Sequence, residues 1–382
     1  AGSSFASTLH GQGYDVTVFE MGRGPGGRMA TRKTREMPGL SVNHGVPVFT
    51  VTQPPFIEML APLVASGMVK MWDGAYFTLD ARTRELKAGE LPGSGYVGSP
   101  DMTSVCEALM AGCQQKYQCQ VAQVQRGDGG VWMLTGPKSE ALGEFDWLCV
   151  SSHTMGHPRW KEIFGSDLPL QSLIEDRSDA ELQAMVTPLE SVPSSPVMIS
   201  MSAYSTEDPA SDVLAQLPFD IVQVTNHDKI DRIVRHASDK YVSLVVHSTH
   251  HFATSHSNVY GSTSAAAKLA PGRWTKEEAK EREEAVVTDL YQEAQALLSH
   301  FAPELPKPVW GPHLHRWGAA FSGPYGAPTL PAVSHKHRFA VCGDFAIHSR
   351  PDIHQGVETA ALSGIEAANA ILAAGPMASS KI

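Results

Sequence analysis

Val16-Thr-Val-Phe-Glu20-Met-Gly-Arg-Gly-Pro-Gly26-Gly27-Arg28-Met-Ala-Thr-Arg32 decides how this chain is read. A short apolar strand ends in a carboxylate, and two adjacent glycines and an arginine follow. An acid closing the second strand of a dinucleotide-binding fold accepts the ribose hydroxyls of the nucleotide. Paired glycines let backbone approach a pyrophosphate with no Cβ in the way. An arginine beside them offers a planar fork to phosphate oxygens. This spacing points to FAD rather than NAD, and Glu20 is read as a ribose ligand.

Upstream, Ala1-Gly2-Ser3-Ser-Phe-Ala-Ser-Thr-Leu-His-Gly11-Gln-Gly13 reads as a helix of small residues with a glycine stop. A dinucleotide fold places a strand and a G-x-G-x-x-G turn before that helix. Gly2 then stands as the third glycine of the turn, and Glu20 follows it by about 18 residues, as the motif requires. The expectation is that strand one and the first two glycines precede residue 1.

A chain of 382 residues can bury a large core and divide into two domains. Its 42% hydrophobic and 18% charged content describe a globular protein. A formal net charge of -10 argues against nucleic acid or an anionic membrane as the main partner. No run approaches the ~18 apolar residues of a membrane span. Five cysteines without CxxC spacing suggest free thiols in a reducing compartment, cytoplasm or organelle. The tail Ser380-Lys381-Ile382 is one residue from a peroxisomal address.

Helical spacing predicts helices over 54–72 and 276–300, the latter with an acidic start at Glu277 and Glu278 that suits the helix dipole. Asp101 or Thr103 is the expected cap of a helix that follows. Strands are expected near 120–125 and 131–135, joined by the turn Arg126-Gly-Asp-Gly-Gly130, and over 145–150. Between 155 and 330, strand candidates 196–204, 219–224 and 241–248 alternate with polar loops and predict a mainly antiparallel sheet. The Ser- and His-rich stretch 249–268 reads as a mobile insertion. The last segment, Arg338-Phe-Ala-Val-Cys-Gly343-Asp344 and then the small-residue helix from Gly356, returns to the nucleotide-binding style.

These blocks resemble the renalase-like branch of the flavin amine oxidase superfamily, of plant and cyanobacterial type, over nearly the whole chain. The residues carrying the resemblance are Glu20 to Arg32, His44-Gly-Val46-Pro47-Val-Phe-Thr50, Tyr96-Val-Gly-Ser-Pro-Asp-Met102, Ser243-Leu-Val-Val-His-Ser-Thr249, Leu314-His315-Arg316-Trp317-Gly-Ala-Ala-Phe321, and Cys342-Gly-Asp344 with Gly356-Val-Glu-Thr-Ala. The resemblance implies an α/β fold: a Rossmann-type, glutathione-reductase-like FAD domain (1–52, 98–155 and 333–382) interrupted by an α+β substrate domain (53–97 and 156–332) with a sheet of six or more strands. It implies that Arg28 binds the pyrophosphate and Asp344 the pyrophosphate–ribityl region. Val357, Glu358 and Thr359 would bring a helix N-terminus to the flavin edge, where it favours negative charge. Val121 or Val124 would give backbone contacts to the adenine, and Gly2, Ser3, Gly26, Gly27, Met29, Val46 and Gly343 complete the cofactor set. Two departures stand out: Pro47 replaces a family glutamine, and Thr359 replaces a glycine.

The resemblance further implies an FAD-dependent oxidoreductase, with hydride passing from a small planar amine or dihydronicotinamide-like donor to flavin. Oxygen or another acceptor would take the electrons. His315, Arg316 and Trp317 are the substrate-side candidates: an arginine holds an anion, and a tryptophan stacks on a flat ring. The plain alternative is a structural strand with a buried Trp and a surface Arg. Asn226 and His227 are further pocket candidates. The 17 histidines, among them His247, His250, His251 and His256, lack the mixed frames of zinc sites, so no metal is expected. Two other functions remain open: a redox-inactive flavin- or nucleotide-binding protein, and an NAD(P)-dependent dehydrogenase.

Overall fold

The computed structural model describes residues 1–261, 275–322, 333–346, 356–374 and 382. The fold is mixed α/β, with a Rossmann-type part and a large, mostly antiparallel sheet. In the first part, Thr17–Glu20 pairs in parallel with Gln114–Tyr117, and Leu148–Val150 pairs in parallel with Phe339–Val341. The first helix, Gly2–His10, lies against the closing helix, Val357–Ala373. Small residues permit this approach. The Ser4 hydroxyl donates to the Ala361 carbonyl at 2.9 Å, and a β-carbon on Gly364 would stand 2.3 Å from that hydroxyl oxygen. Phe5, Leu9, Val16, Trp147, Ala340 and Ile371 fill the core between helices and strands. The backbone of Ile382 closes onto the same edge: its N–H donates to Asp15 and its carbonyl accepts from Thr17.

The second part is a seven-stranded sheet in the order Trp310–Ser322, Ser194–Ser205, Tyr241–Ser248, Ile230–Ala237, Ile221–Thr225, Tyr76–Asp80, Leu86–Ala88. Every neighbouring pair is antiparallel except Ile221–Thr225 with Tyr76–Asp80. One face carries the helix Lys276–Leu298, whose Val286, Val287, Leu290, Ala294 and Leu297 are buried against it. The other face presents Val197, Ile199, Met201, Val245 and Ala320 to Leu40 and Val42 of the first part. Covering both faces removes the apolar–polar alternation of a half-exposed strand, and Ser194–Ser205 is buried almost throughout.

Several boundaries differ from expectation. The helix expected over 54–72 is Pro54–Ala65; Gly67, at φ +75°, ends it, and Val69–Met71 continues as a strand. Asp101 is the cap of Met102–Leu109, through Oδ1 and the Ser104 N–H, while the Thr103 hydroxyl accepts from Thr31. The stretch expected as one strand over 145–150 divides at Asp146-Trp147 into the ends of Ala141–Phe145 and Leu148–Val150. The insertion at 249 begins with an ordered helix, His250–Ser255, capped by the Thr249 hydroxyl and anchored by buried Phe252. Residues 262–268 of that insertion lie outside the described residues. Trp160, Leu170, Leu173, Met185 and Leu189 come from short helices not anticipated in the sequence. They pack on Trp132 and Phe339 of the nucleotide-binding part rather than on the large sheet.

Candidate functional site

The glycine loop and the closing segment meet across the top of the Rossmann part. Gly26 and Gly27 hold φ of +108° and +51°, a geometry glycine adopts without strain, and start a single turn, Gly27–Met29. The turn aims Arg28 at Asp344: Nη1 and Nη2 donate to Oδ2 and Oδ1 at 2.6 and 2.7 Å, a bidentate fork. Nη1 also donates to the Ala320 carbonyl at 2.9 Å. Burial pushes the Asp344 carboxyl up, but the Arg28 fork outweighs it and holds the group below its ordinary range. Gly45 lies against the same turn. A β-carbon there would be 1.9 Å from the Arg28 carbonyl oxygen, and the next residue, Val46, donates its N–H to that oxygen at 3.0 Å.

Glu20 ends its strand as expected. Burial raises its pKa, while the Gly22 N–H, donated at 2.5 Å, opposes that rise. Gly2 and Ser3 open the first helix beside Ser151, with which a Gly2 β-carbon would be in close contact. Met29 is buried among Phe49, Phe56 and Met102. Val121 sits just before the strand Gln123–Arg126, at the edge of the Trp132 core. The Gly343 N–H donates to Ser363 at 2.7 Å. At the closing helix, Glu358 turns away from the Arg28 region. Its carboxylate accepts from the Thr52 and Gln53 N–H groups and the Thr52 hydroxyl, at 2.6 to 2.8 Å. It therefore ties the residues just ahead of the Pro54–Ala65 helix to the closing helix. Val357 and Thr359 stand at the N-terminus of the closing helix, with Thr359 buried.

The three substrate-side candidates on Trp310–Ser322 separate by strand alternation. His315 and Trp317 share one face and meet His44: His44 stacks on Trp317 with centroids 5.2 Å apart and meets His315 edge-on at 4.5 Å. The Trp317 indole N–H donates to the His44 carbonyl at 3.2 Å. Burial drives the His44 pKa down to about 4 and that of His315 well below its ordinary value. Both rings are therefore neutral near pH 7. His44 Nδ1 and His315 Nε2 are buried without a hydrogen-bond partner. Arg316 points to the opposite face, under Tyr260, with its guanidinium carbon 5.0 Å from the ring centroid.

Asn226 is not brought to this cluster. It occupies a turn at φ +56°, donates to Asp80 at 2.7 Å, and lines, with His227, a separate cavity of about 280 Å³ near Lys229 and Glu293. Among the described residues, no three His, Cys, Asp or Glu side chains converge as a metal's donor set would. No described helix is long and apolar enough to cross a membrane. Sequence reasoning missed His44 and Arg159. His44 adjoins the Gly45 that packs on Arg28, which is the signal that marks it. Arg159 opens a six-residue helix with no motif around it.

Residues 1–63 match the family model of an NAD(P)-binding Rossmann-like domain. Similar solved structures include a variant of a putrescine oxidase (12% identity, 98% of this chain and 97% of that one, TM-score 0.61). An oxidoreductase from Methanosarcina mazei matches at 11% identity over 96% of both chains, TM-score 0.58. Cyclohexylamine oxidase from Brevibacterium oxydans matches at 13%, over 97% and 96%, TM-score 0.57. At these identities the likeness is one of fold, and it extends over the Rossmann part and the large sheet together.

Proposed function

We propose that the chain is an FAD-dependent oxidoreductase of renalase-like type, acting on a small planar amine or dihydronicotinamide-like donor. The observation that carries this reading is the placement of the His44–His315–Trp317 cluster. The large sheet sets these rings beside the loop that leads from Arg28, and leaves two imidazole nitrogens buried and unpartnered. Buried polar atoms without partners mark a place where a ligand completes the hydrogen bonding. The names of the similar structures, two of them amine oxidases, agree with it.

The residues present suit a flavin dinucleotide. Glu20 offers its second carboxylate oxygen to a ribose, and the Gly26-Gly27 turn and Gly343 leave backbone bare of side chains. Bound FAD would accept the donor's hydride at N5 and pass the electrons to oxygen or another acceptor. Around it, Arg28 and Asp344 fix the glycine loop to the closing segment. Trp317 and His44 give a flat, uncharged wall for a planar ring. The neutral imidazoles of His44 and His315 each bring a ring nitrogen able to bond a donor's amide or amine. The proposed FAD domain comprises 1–52, 98–155 and 333–382, and the helices around 160–192 pack with it; the substrate domain is built on the large sheet.

The test is the visible spectrum of the protein reconstituted with FAD, followed by anaerobic addition of donors. Bound flavin that bleaches with a dihydronicotinamide or amine supports the reading. Flavin that binds and resists every donor favours a redox-inactive binding protein, a role in keeping with Pro47. Failure to take up flavin removes the proposal.

A further inference from the structure

We propose that Arg159, Arg316 and Tyr260 form a subsite for a phosphoryl oxyanion, separate from the Arg28–Asp344 pair. A cavity of about 170 Å³ opens between the helix Arg159–Phe164 and the strand Trp310–Ser322. That is an order of magnitude above the ~10–15 Å³ that admits one water. Arg159 and Arg316 both line it, with Tyr260, Thr154 and Met21. Arg316 is only 9% exposed, and its Nε is buried without a partner. Arg159 lies directly over Gly318, where a β-carbon would fall 1.8 Å from Nη2. The absent side chain at 318 is what admits the guanidinium.

Charge decides what the cavity is for. Lys229, beside the cavity of about 280 Å³, is compensated by Asp289 and Glu293, and Arg28 by Asp344. Among the described residues, no carboxylate lies within 4.0 Å of Arg159 or Arg316. Burial and the neighbouring Arg316 disfavour the Arg159 charge, against a weaker favourable pull from the Tyr260 hydroxyl and from Glu162 on its own helix, while Arg316 is buried beside the Tyr260 hydroxyl, its polar partner. Two like charges in one partly dry pocket are costly until an anion joins them. A carboxylate supplies one negative charge; a phosphate monoester or a diphosphate supplies close to two and offers oxygens to both forks. The cavity also adjoins the nucleotide strip. Its wall residues Gly318 and Ala319 precede Ala320, which accepts from Arg28, and Met21 follows Glu20.

Two ligands carry that chemistry, the diphosphate of the cofactor and a phosphate on the donor. The first measurement is independent of flavin: calorimetric titration of inorganic pyrophosphate into the purified full chain. Wild type is expected to bind pyrophosphate, and Arg159→Gln and Arg316→Gln to lose at least tenfold in affinity. Gly318→Ala keeps both charges but displaces Arg159, and should lose affinity with its melting temperature little changed. No binding by wild type, or equal binding by all four proteins, overturns the proposal. The second arm separates the sources. If the subsite takes the cofactor, both arginine variants weaken FAD binding and raise KM equally for reduced nicotinamide mononucleotide and its dephosphorylated riboside. If it takes the donor, FAD affinity holds and only the phosphorylated donor's KM rises. Should flavin never bind, the pyrophosphate titration still decides the subsite, so the two proposals fail separately.

Discussion

At Gly45 the chain has no room for a single methyl group, because the obstacle is the backbone carbonyl of Arg28 and not a side chain that can swing aside. Gly45→Ala is therefore expected to cost about 1–3 kcal/mol, the range for overpacking, and to loosen the Arg28 turn. Thermal melts and FAD affinity measured on the same variant check this. Arg28→Ala leaves the Asp344 carboxylate buried without its fork, at a cost of about 1–3 kcal/mol near pH 7. The sign with pH follows from the direction of the shift. A carboxyl held below its ordinary pKa stabilises the fold above that range and loses the effect as acid protonates it. Wild type should thus gain over Arg28→Ala as pH rises from 3 to 6, and a gap that does not change with pH would count against the fork. His44 works in the same direction by another route. Its folded pKa of about 4 lies below the ordinary value of 6.5, so the unfolded chain binds the proton first. Stability should fall as pH drops from about 6.5 to 4, by an amount on the order of 3 kcal/mol, and His44→Phe should flatten that fall in urea titrations.

Among the elements, the helix Lys276–Leu298 was the plainest in the sequence, because its apolar residues recur every three or four positions over 23 residues. Thr275 and Glu278 close its start as a reciprocal capping box, and Thr275→Ala should cost about 1 kcal/mol in chemical denaturation. Leu290→Ala, in the centre of its buried face, should cost about 2–5 kcal/mol by the same measurement. The strand Ile230–Ala237 went unread because its Arg232, Arg235 and His236 look like a surface loop. In the structure it is the central strand of the large sheet: Arg235 pairs with Asp220 at 2.7 Å, and burial takes the His236 pKa down to about 4, so that ring is neutral. The glycine turn before Arg28 and the strand end at Glu20 were legible because glycine, acid and arginine at fixed spacing report backbone geometry directly. That Asn226 lines a cavity apart from the His44–His315–Trp317 cluster was not legible, because only the third dimension separates one pocket from another.

Across the whole molecule, the pairing of a Rossmann part with a large, mostly antiparallel sheet was visible in the changes of sequence style along the chain. The packing of the 160–192 helices was not, since which surface an apolar helix covers depends on contacts distant in sequence. Among the strands on which the first part packs, Trp310–Ser322 carries opposite chemistry on its two faces: neutral rings on one, the Arg316 cation under Tyr260 on the other. Its pairing with Ser194–Ser205 is broken by irregularities at Ser195/Val197 and at Met201/Ala203. A gain or loss of one residue within Trp310–Ser322 itself, ahead of His315, would exchange the faces of His315 and Trp317 with that of Arg316. Change of length, which loops absorb, is therefore closed to this segment: a single codon inserted there exchanges the inventory of two chambers at once, while the same codon near Glu207 would pass unnoticed.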